Sequence, residues 1–162
     1  MSRKFKKEQF LNLEVVDINK KGNGVVKSNS GKVIFVDGAV PGDFIDIETY
    51  KKRKGVFEGK LIKINKQSSN RIKPKCEHFG TCGGCKWQNL NYKTQLKFKQ
   101  KEVLENLKRI SKMRIPKIDK IKEVNSKFFY RNKMEFSFSD NRWLSSNEIK
   151  SSIKIEEKNG LG

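Results

Sequence analysis

The 162-residue sequence has no long apolar run and few acidic residues, and its cysteines are confined to one short stretch. No segment approaches the roughly 20 apolar residues that a membrane-spanning helix needs, so we expect no membrane association. Residues 1–10 are basic but lead into no apolar stretch, which argues against a signal peptide. An odd number of clustered cysteines argues against a disulfide framework. The sequence therefore predicts a cytoplasmic protein with reduced thiols.

The shortage of acidic residues leaves a large positive charge. Lysine and arginine number 37 against 18 acidic residues, which gives a formal net charge of +19. Such an excess predicts a polyanionic partner, and nucleic acid fits better than a negative membrane surface. The alternative is a lysine-rich composition that serves only to keep the chain dissolved.

Short β-type runs separated by turn residues occupy residues 11–66. This spacing predicts a chain that is mainly β with some α, with a small closed five-stranded barrel of the OB type. Closure would also remove exposed strand edges. Residues 1–10 are expected to form a basic tail, and residues 51–55 a charged hairpin tip. The expected strands are residues 13–18, 25–26, 33–36, 44–48 and 57–64.

A helical pattern follows over residues 91–111, with Asn91 as its N-cap. Its expected apolar face consists of Tyr92, Leu96, Val103, Leu107 and Ile110. Residues 128–139 then return to an alternating β pattern. We therefore expect residues 91–162 to contain one long helix and the start of an α+β domain.

The three cysteines have the spacing Cys76-x5-Cys82-x2-Cys85, inside a loop expected over residues 67–90. Thiolates this close together indicate a metal centre, and iron–sulfur clusters and structural zinc both usually take four ligands. The fourth ligand is then either His78 or absent from these 162 residues. Three unligated buried cysteines are the alternative, but glycines at 83 and 84 favour backbone approach to cluster sulfurs.

These residues resemble a known family. The run from Cys76 to Gln88, followed by Tyr92-x-x-Gln95-Leu96-x-x-Lys99, is similar to the iron–sulfur segment of the RNA uracil-5-methyltransferases. Residues 31–43 resemble part of a TRAM domain, an RNA-binding OB-like module, and residues 130–136 resemble the start of the family's central domain. The 23S ribosomal RNA branch fits best, because it combines the TRAM module with the cluster.

The resemblance implies a 4Fe–4S cluster held by Cys76, Cys82 and Cys85, with the family's fourth cysteine further along. It also implies S-adenosylmethionine as the methyl donor and 5-methyluridine as the product. The family's nucleophilic cysteine and its cofactor-binding domain have no counterpart here. The chain thus looks like the N-terminal portion of such an enzyme, and we expect it to be inactive alone and monomeric.

A basic barrel bearing aromatic residues suits single-stranded RNA. Each candidate contact has a competing interpretation. It is a solvated turn for the hairpin cations, packing over the metal loop for Trp87, and plain solvent exposure for Arg131 and Lys133. Two other hypotheses stay open: a stand-alone zinc-containing RNA-binding module and a redox protein. The candidate RNA contacts are Lys51, Lys52, Arg53, Lys54, Lys86, Trp87, Arg131 and Lys133.

Overall fold

The structure, a computed structural model, describes residues 5–112, 114–133, 135–141, 144, 148, 151, 160 and 161. A closed five-stranded barrel with the order β1-β2-β3-β5-β4 dominates it. β3 and β5 pair in parallel, whereas the other neighbours, including β4 and β1, pair antiparallel. The expected OB-like barrel is confirmed. Its strands are β1 (Gln9–Ile18), β2 (Gly24–Lys27), β3 (Val33–Val36), β4 (Phe44–Arg53) and β5 (Val56–Lys66).

Alternation along the strands builds the core. In β4, for example, Ile45 and Ile47 are buried while Asp46 and Glu48 stay partly exposed. Because successive side chains of a strand point to opposite faces, each strand gives one row to the interior and one to the outer surface. The buried cluster consists of Val15, Val26, Ile34, Val36, Ala39, Ile45, Ile47 and Phe57.

The hairpin between β4 and β5 is longer than the sequence predicts. Pairing continues to Arg53 opposite Val56, so Lys51, Lys52 and Arg53 are strand residues and not part of a tip. The two-residue turn consists of Lys54 (φ 49°) and Gly55 (φ 83°). Two positive φ angles define a type I′ turn, whose twist matches that of the flanking strands and lets them pair to the end.

The basic tail expected over residues 1–10 is wrong for the described residues 5–10. The Thr49 N–H donates to the Glu8 carbonyl at 2.8 Å, and the Glu8 N–H donates to the Thr49 side-chain hydroxyl at 3.0 Å. β1 already begins at Gln9. The Phe5 ring lies 6.3 Å from the Phe57 ring. These residues therefore cover one side of the barrel core.

The expected helix is present as α1 (Tyr92–Ser111). Asn91 is its N-cap, since its side-chain oxygen accepts a hydrogen bond from the Thr94 N–H at 2.8 Å. The expected apolar face is buried at Leu96, but Val103 and Ile110 are 53% and 74% exposed. No helix in the described part of the chain has the length and apolar character needed to cross a membrane.

Residues 119–124 lie along α1. The Gln100 side chain donates to the Asp119 carbonyl and accepts from the Ile121 N–H, and the Tyr92 hydroxyl accepts from the Val124 N–H. The β pattern expected over residues 128–139 gives, among the described residues, a strand at β6 (Phe138–Ser139) alone, paired with β7 (Gly160–Leu161). Phe129 is 95% exposed. The wider prediction was wrong because an alternating segment needs a neighbouring strand to satisfy its backbone.

Candidate nucleic-acid interface

A groove of about 510 Å³ lies on the outer surface of the barrel between two loops. The β1–β2 turn (residues 19–23) forms one wall and the β4–β5 turn forms the other. Strand side chains from β3, β4 and β5 form the floor. The OB fold uses these two loops and the strands between them to hold oligonucleotides. The groove is lined by two aromatic residues, Phe35 and Tyr50, four cations, Lys20, Lys21, Arg53 and Lys54, and two carboxylates, Asp37 and Glu58.

A second concavity of about 420 Å³ continues the groove along the barrel. The two share Asp37, Tyr50 and Gly59, and the second adds Lys7 and Lys60 to the cationic lining. Tyr50 thus lies where the two meet. The result is an extended concave face with an aromatic ring at its middle.

Tyr50 is half-exposed at this position. Partial burial, and next the negative charge of Glu58, raise the pKa of the Tyr50 phenol. The hydroxyl is therefore neutral at physiological pH and can donate a hydrogen bond. A neutral phenol ring that is open on the groove side is suited to stack a nucleobase.

The structure separates the four hairpin residues that the sequence predicts as RNA contacts. Arg53 and Lys54 line the groove. Lys51 instead approaches Glu58, with 3.7 Å between its Nζ and a carboxylate oxygen. The Lys52 ammonium lies over the Phe57 ring, 5.1 Å from its centroid. Two of the four cations thus contact other side chains of the barrel, and the other two line the groove.

Sequence reasoning missed the two turn lysines and the two aromatic residues of the groove, and it did not predict the carboxylates Asp37 and Glu58 there. Lys20 and Lys21 stand immediately before the turn glycine at 22, and Phe35 and Tyr50 occupy outward positions in β3 and β4. The available signal was the same alternation that located the core, since an aromatic ring at an outward position of a barrel strand is exposed to ligands.

Lys86 and Trp87 lie against the β1–β2 turn. Gly22 has φ 82°, and a Cβ placed on it would lie 2.6 Å from Lys86 Cβ and 2.8 Å from Trp87 Nε1. Trp87 is partly buried here, and the Lys99 ammonium lies 5.7 Å from the centre of its ring. Trp87 therefore packs on the barrel turn, and the sequence alone did not predict that contact.

Arg131 and Lys133 do not join this surface. Both are exposed, in a described segment without regular secondary structure. Neither lines either concavity. Their role as RNA contacts stays a prediction.

A buried ion pair connects the barrel to the chain that follows it. The Asp43 carboxylate is fully buried and receives the Arg71 guanidinium, with Nη2 2.5 Å from Oδ2. It also accepts the backbone N–H groups of Val40 and Ser68, each at 2.8 Å. Arg71 donates further to the Gly38 carbonyl at 2.9 Å. Because the buried Asp43 carboxylate has this many hydrogen-bond partners, the geometry of this joint between the barrel and the following chain is fixed.

The joint leads into the stem of the cysteine loop. Arg71 and Leu90 form an isolated antiparallel bridge, and the Ile72 N–H donates to the Asn89 carbonyl at 3.0 Å. The Asn89 side chain donates to the same Gly38 carbonyl that Arg71 uses. Gln95, on α1, donates to the Leu90 carbonyl at 2.8 Å. The barrel, the two ends of the loop and the start of α1 are thereby joined.

The loop itself consists of turns. The His78 carbonyl accepts from the N–H groups of Thr81 and Cys82, and the Cys76 N–H donates to the Gln88 side chain at 3.2 Å. All three cysteines are exposed and form no disulfide. The alternative of three buried, inert cysteines is therefore wrong.

The loop provides the donor type that an iron–sulfur or zinc centre needs, but the thiols do not converge. Within the described part of the chain, no three His, Cys, Asp or Glu side chains lie close enough to hold one metal ion. The backbone of Gly84 does approach a thiol, since a Cβ placed on it would lie 3.7 Å from Cys82 Sγ. The chemistry of the donors thus fits, and their arrangement would have to tighten around a metal.

Comparison with known proteins gives a consistent result. A Bacteroides thetaiotaomicron protein described as an uncharacterized RNA methyltransferase is 42% identical over 141 residues, covering 87% of this chain and 31% of that protein. The chain is similar to RNA methyltransferases. A Thermotoga maritima protein of the same description is 41% identical over 129 residues, covering 78% of this chain and 29% of that protein. No protein-family model matches the chain.

A third relative has a more specific name. The 23S rRNA (uracil(1939)-C(5))-methyltransferase RlmD of Cupriavidus pinatubonensis is 35% identical over 110 residues, covering 66% of this chain and 24% of that enzyme. This chain thus spans between 24% and 31% of the length of these relatives.

Proposed function

We propose that this chain is the RNA-binding portion of an S-adenosylmethionine-dependent methyltransferase that acts on uracil C5 of 23S ribosomal RNA. In this proposal the barrel is a TRAM-like module, and the chain works as a monomer in the cytoplasm. The observation that carries the RNA-binding part is the groove, where Tyr50 and Phe35 lie among four cations. The specific name of the RlmD relative supports the substrate.

The groove suits single-stranded RNA for two physical reasons. Its cations can neutralise backbone phosphates, which supplies affinity for any sequence. Its aromatic rings can stack unpaired bases, which a double helix does not offer. Asp37 and Glu58 place negative charge at the floor of the groove, where they can accept hydrogen bonds from base edges.

We propose further that Cys76, Cys82 and Cys85 hold three corners of a 4Fe–4S cluster. The thiolates would supply the sulfur ligands, and the stem that Arg71 and Asn89 anchor would position the loop over the barrel. S-adenosylmethionine supplies the methyl group in such enzymes. Since thiolates bound to metal are not free nucleophiles, we expect no methyl transfer by this chain alone.

The RNA-binding proposal is tested by two paired double variants with the same change of charge. Arg53→Gln with Lys54→Gln removes the groove cations, and Lys51→Gln with Lys52→Gln removes the engaged ones. The first pair is expected to weaken binding of labelled oligouridine and to reduce the salt slope of log K by about 1.4, as for two phosphate contacts. The second pair should change the slope much less. Equal effects of the two pairs, or a salt-independent affinity, would contradict binding in the groove.

The metal proposal is tested by anaerobic reconstitution with iron and sulfide. We expect a brown species that bleaches in air, because a cluster with an incomplete set of protein ligands is open to solvent. Cys85→Ala should lower the iron content, and His78→Ala should leave it unchanged. Stoichiometric zinc that is lost in the His78→Ala variant would instead support the zinc-containing RNA-binding module.

A further inference from the structure

We propose that bound single-stranded RNA leaves the barrel groove across the β1–β2 turn and stacks a base on Trp87, next to the cysteine loop. The proposal rests on the RNA binding proposed above and assigns the path of the RNA and the way in which Trp87 contacts it. It follows from how the turn, the indole ring and the unpaired cations are arranged.

The β1–β2 turn is a rigid bridge between the two surfaces. The Asn19 side-chain oxygen accepts the N–H groups of Lys21 and Asn23 at 2.9 and 3.1 Å, which fixes the shape of the turn. Lys20 and Lys21 line the groove on one side. Gly22, the next residue, is packed against Trp87, and neither of the two lines the groove. A strand in the groove therefore meets the indole after crossing one turn.

Contacts with α1 and with the β1–β2 turn fix the position of Trp87. Its carbonyl accepts a hydrogen bond from the Gln95 side chain at 2.9 Å, so its backbone is fixed to α1. The Nε1 edge of the ring packs on Gly22, and the ring remains partly exposed. The Lys99 ammonium lies over this ring, 5.7 Å from its centre. A base that stacks on that face replaces the ammonium, which can then bind the neighbouring phosphate. Base–aromatic stacking tolerates any sequence, because every base has a π face.

The cations along this path are not neutralised by the protein. Within the described residues Lys20, Lys21, Lys86 and Lys99 take part in no ion pair. The nearby carboxylate of Asp17 in β1 is bound by Lys101 of α1 at 2.5 Å. The path therefore carries unpaired positive charge from the groove to the indole, as a phosphate backbone requires.

The path predicts a dependence on RNA length. An oligouridine of about 5 nucleotides fills the groove, whereas one of about 12 also reaches Trp87, both within the range that OB folds bind. The experiment compares the two oligomers on the 162-residue chain and on its Trp87→Ala and Tyr50→Ala variants. We expect Tyr50→Ala to weaken the binding of both oligomers. We expect Trp87→Ala to weaken the binding of the longer oligomer roughly tenfold and that of the shorter one hardly at all.

Two further measurements do not depend on how well the Trp87→Ala variant folds. Trp143→Phe leaves Trp87 as the chain's sole tryptophan, and its fluorescence should be quenched by the longer oligomer much more than by the shorter at equal saturation. Lys99→Gln should lower the salt slope for the longer oligomer alone. Lys108→Gln, a control about 13 Å further along the same helix at 1.5 Å per residue, should leave both slopes unchanged.

The outcomes separate this path from the proposed function. If Tyr50→Ala weakens both oligomers but Trp87→Ala weakens neither or both equally, binding in the groove stands and the path is wrong. If Tyr50→Ala has no effect on either oligomer, the groove itself is wrong. Equal quenching by both oligomers would also overturn the path.

Discussion

The barrel and the cysteine loop, residues 73–88, differ in what holds them in place. The barrel encloses a cluster of eight buried apolar residues, and its hydrogen bonds are the regular ladders of paired strands. The loop exposes its three thiols and is held by the residues that flank it, since Arg71 donates to Asp43 and Gly38, and Asn89 donates to Gly38. Apolar packing is non-directional and tolerates small changes, whereas a buried charge requires its partner.

The interactions most sensitive to substitution therefore lie at the junction between barrel and loop, where Asp43 binds Arg71, and not in the groove or the cysteine loop. The groove and the cysteine loop present exposed side chains that can change without unfolding the chain. The junction contains a fully buried carboxylate whose loss leaves an uncompensated cation. Substitutions at the junction should therefore cost more stability than substitutions in either surface.

Removing the buried carboxylate should have the largest effect on stability. Asp43→Ala leaves Arg71 without its partner and two backbone N–H groups without an acceptor, so we expect a loss of about 3–5 kcal/mol. Ile34→Val, a one-methylene change at a fully buried barrel position, should cost about 1 kcal/mol. Urea unfolding of both variants measures the difference. A smaller loss for Asp43→Ala than for Ile34→Val would reverse the comparison.

The contact between the two regions is tested by a pair of glycines. Gly22→Ala and Gly31→Ala both place a side chain at positive φ, 82° and 75°, and share a strain of about 1 kcal/mol. Nothing lies within 4 Å of a Cβ at Gly31, whereas a Cβ at Gly22 collides with Lys86 and Trp87. We expect Gly22→Ala to lose about 1–3 kcal/mol more, as in overpacking.

The same pair of variants reports on the loop. In the Trp143→Phe background, Gly22→Ala should increase the quenching of Trp87 fluorescence by acrylamide, because the partly buried ring loses its contact with the turn. Gly31→Ala should leave the quenching unchanged. Equal stability and equal quenching in the two variants would mean that Trp87 does not pack on the turn.

The start of α1 should contribute a smaller amount. Asn91→Ala removes the N-cap hydrogen bond to Thr94 and a side-chain hydrogen bond to Asn70 in the loop stem, for an expected loss of about 1 kcal/mol. Asn106→Ala, within the same helix, is the control and should be neutral or slightly stabilising, because alanine favours helix interiors. Thermal unfolding followed by circular dichroism distinguishes the two.

The smallest expected effect is a pH dependence at the barrel surface. The hydrogen bond and then the charge of Lys7 lower the pKa of Glu48 below its ordinary value of 4.5. The lowered pKa means that Glu48 stabilises the fold above that value, and the contribution is lost as pH falls through the folded-state pKa. Glu48→Gln should therefore slightly reduce the difference in urea midpoint between pH 6 and pH 3. An unchanged difference would show that this exposed pair contributes nothing.

Much of the fold could be predicted because its signals are local. Alternation placed the buried face of β4 at Ile45 and Ile47, and a capping residue before a helical period placed the start of α1 at Asn91. The segment 128–139 shows the limit of this reasoning. Its alternation indicated strands, yet the described residues form a strand at Phe138–Ser139 alone, since pairing depends on a partner elsewhere in the chain.

The candidate site was less accessible to sequence reasoning. The run Lys51-Lys52-Arg53-Lys54 reads as one basic patch, and only the barrel divides it, by placing Glu58 and Phe57 beside the first two residues. The cluster assignment of Cys76, Cys82 and Cys85 stays a prediction. The spacing of the cysteines can be read directly from the sequence, whereas the convergence of the three thiols depends on how the loop folds.

Periodicity and capping act between residues that are close along the chain, and they set the strand segments of the barrel and the position of α1. Contacts in the folded chain set which cations are free, where Trp87 packs and how the loop is anchored. Those outcomes depend on pairs far apart in sequence, such as Asp43 with Arg71 and Gly22 with Trp87. Closure of the barrel brings such partners together. The spatial neighbours of a charge or a ring then decide whether it is paired, packed or exposed.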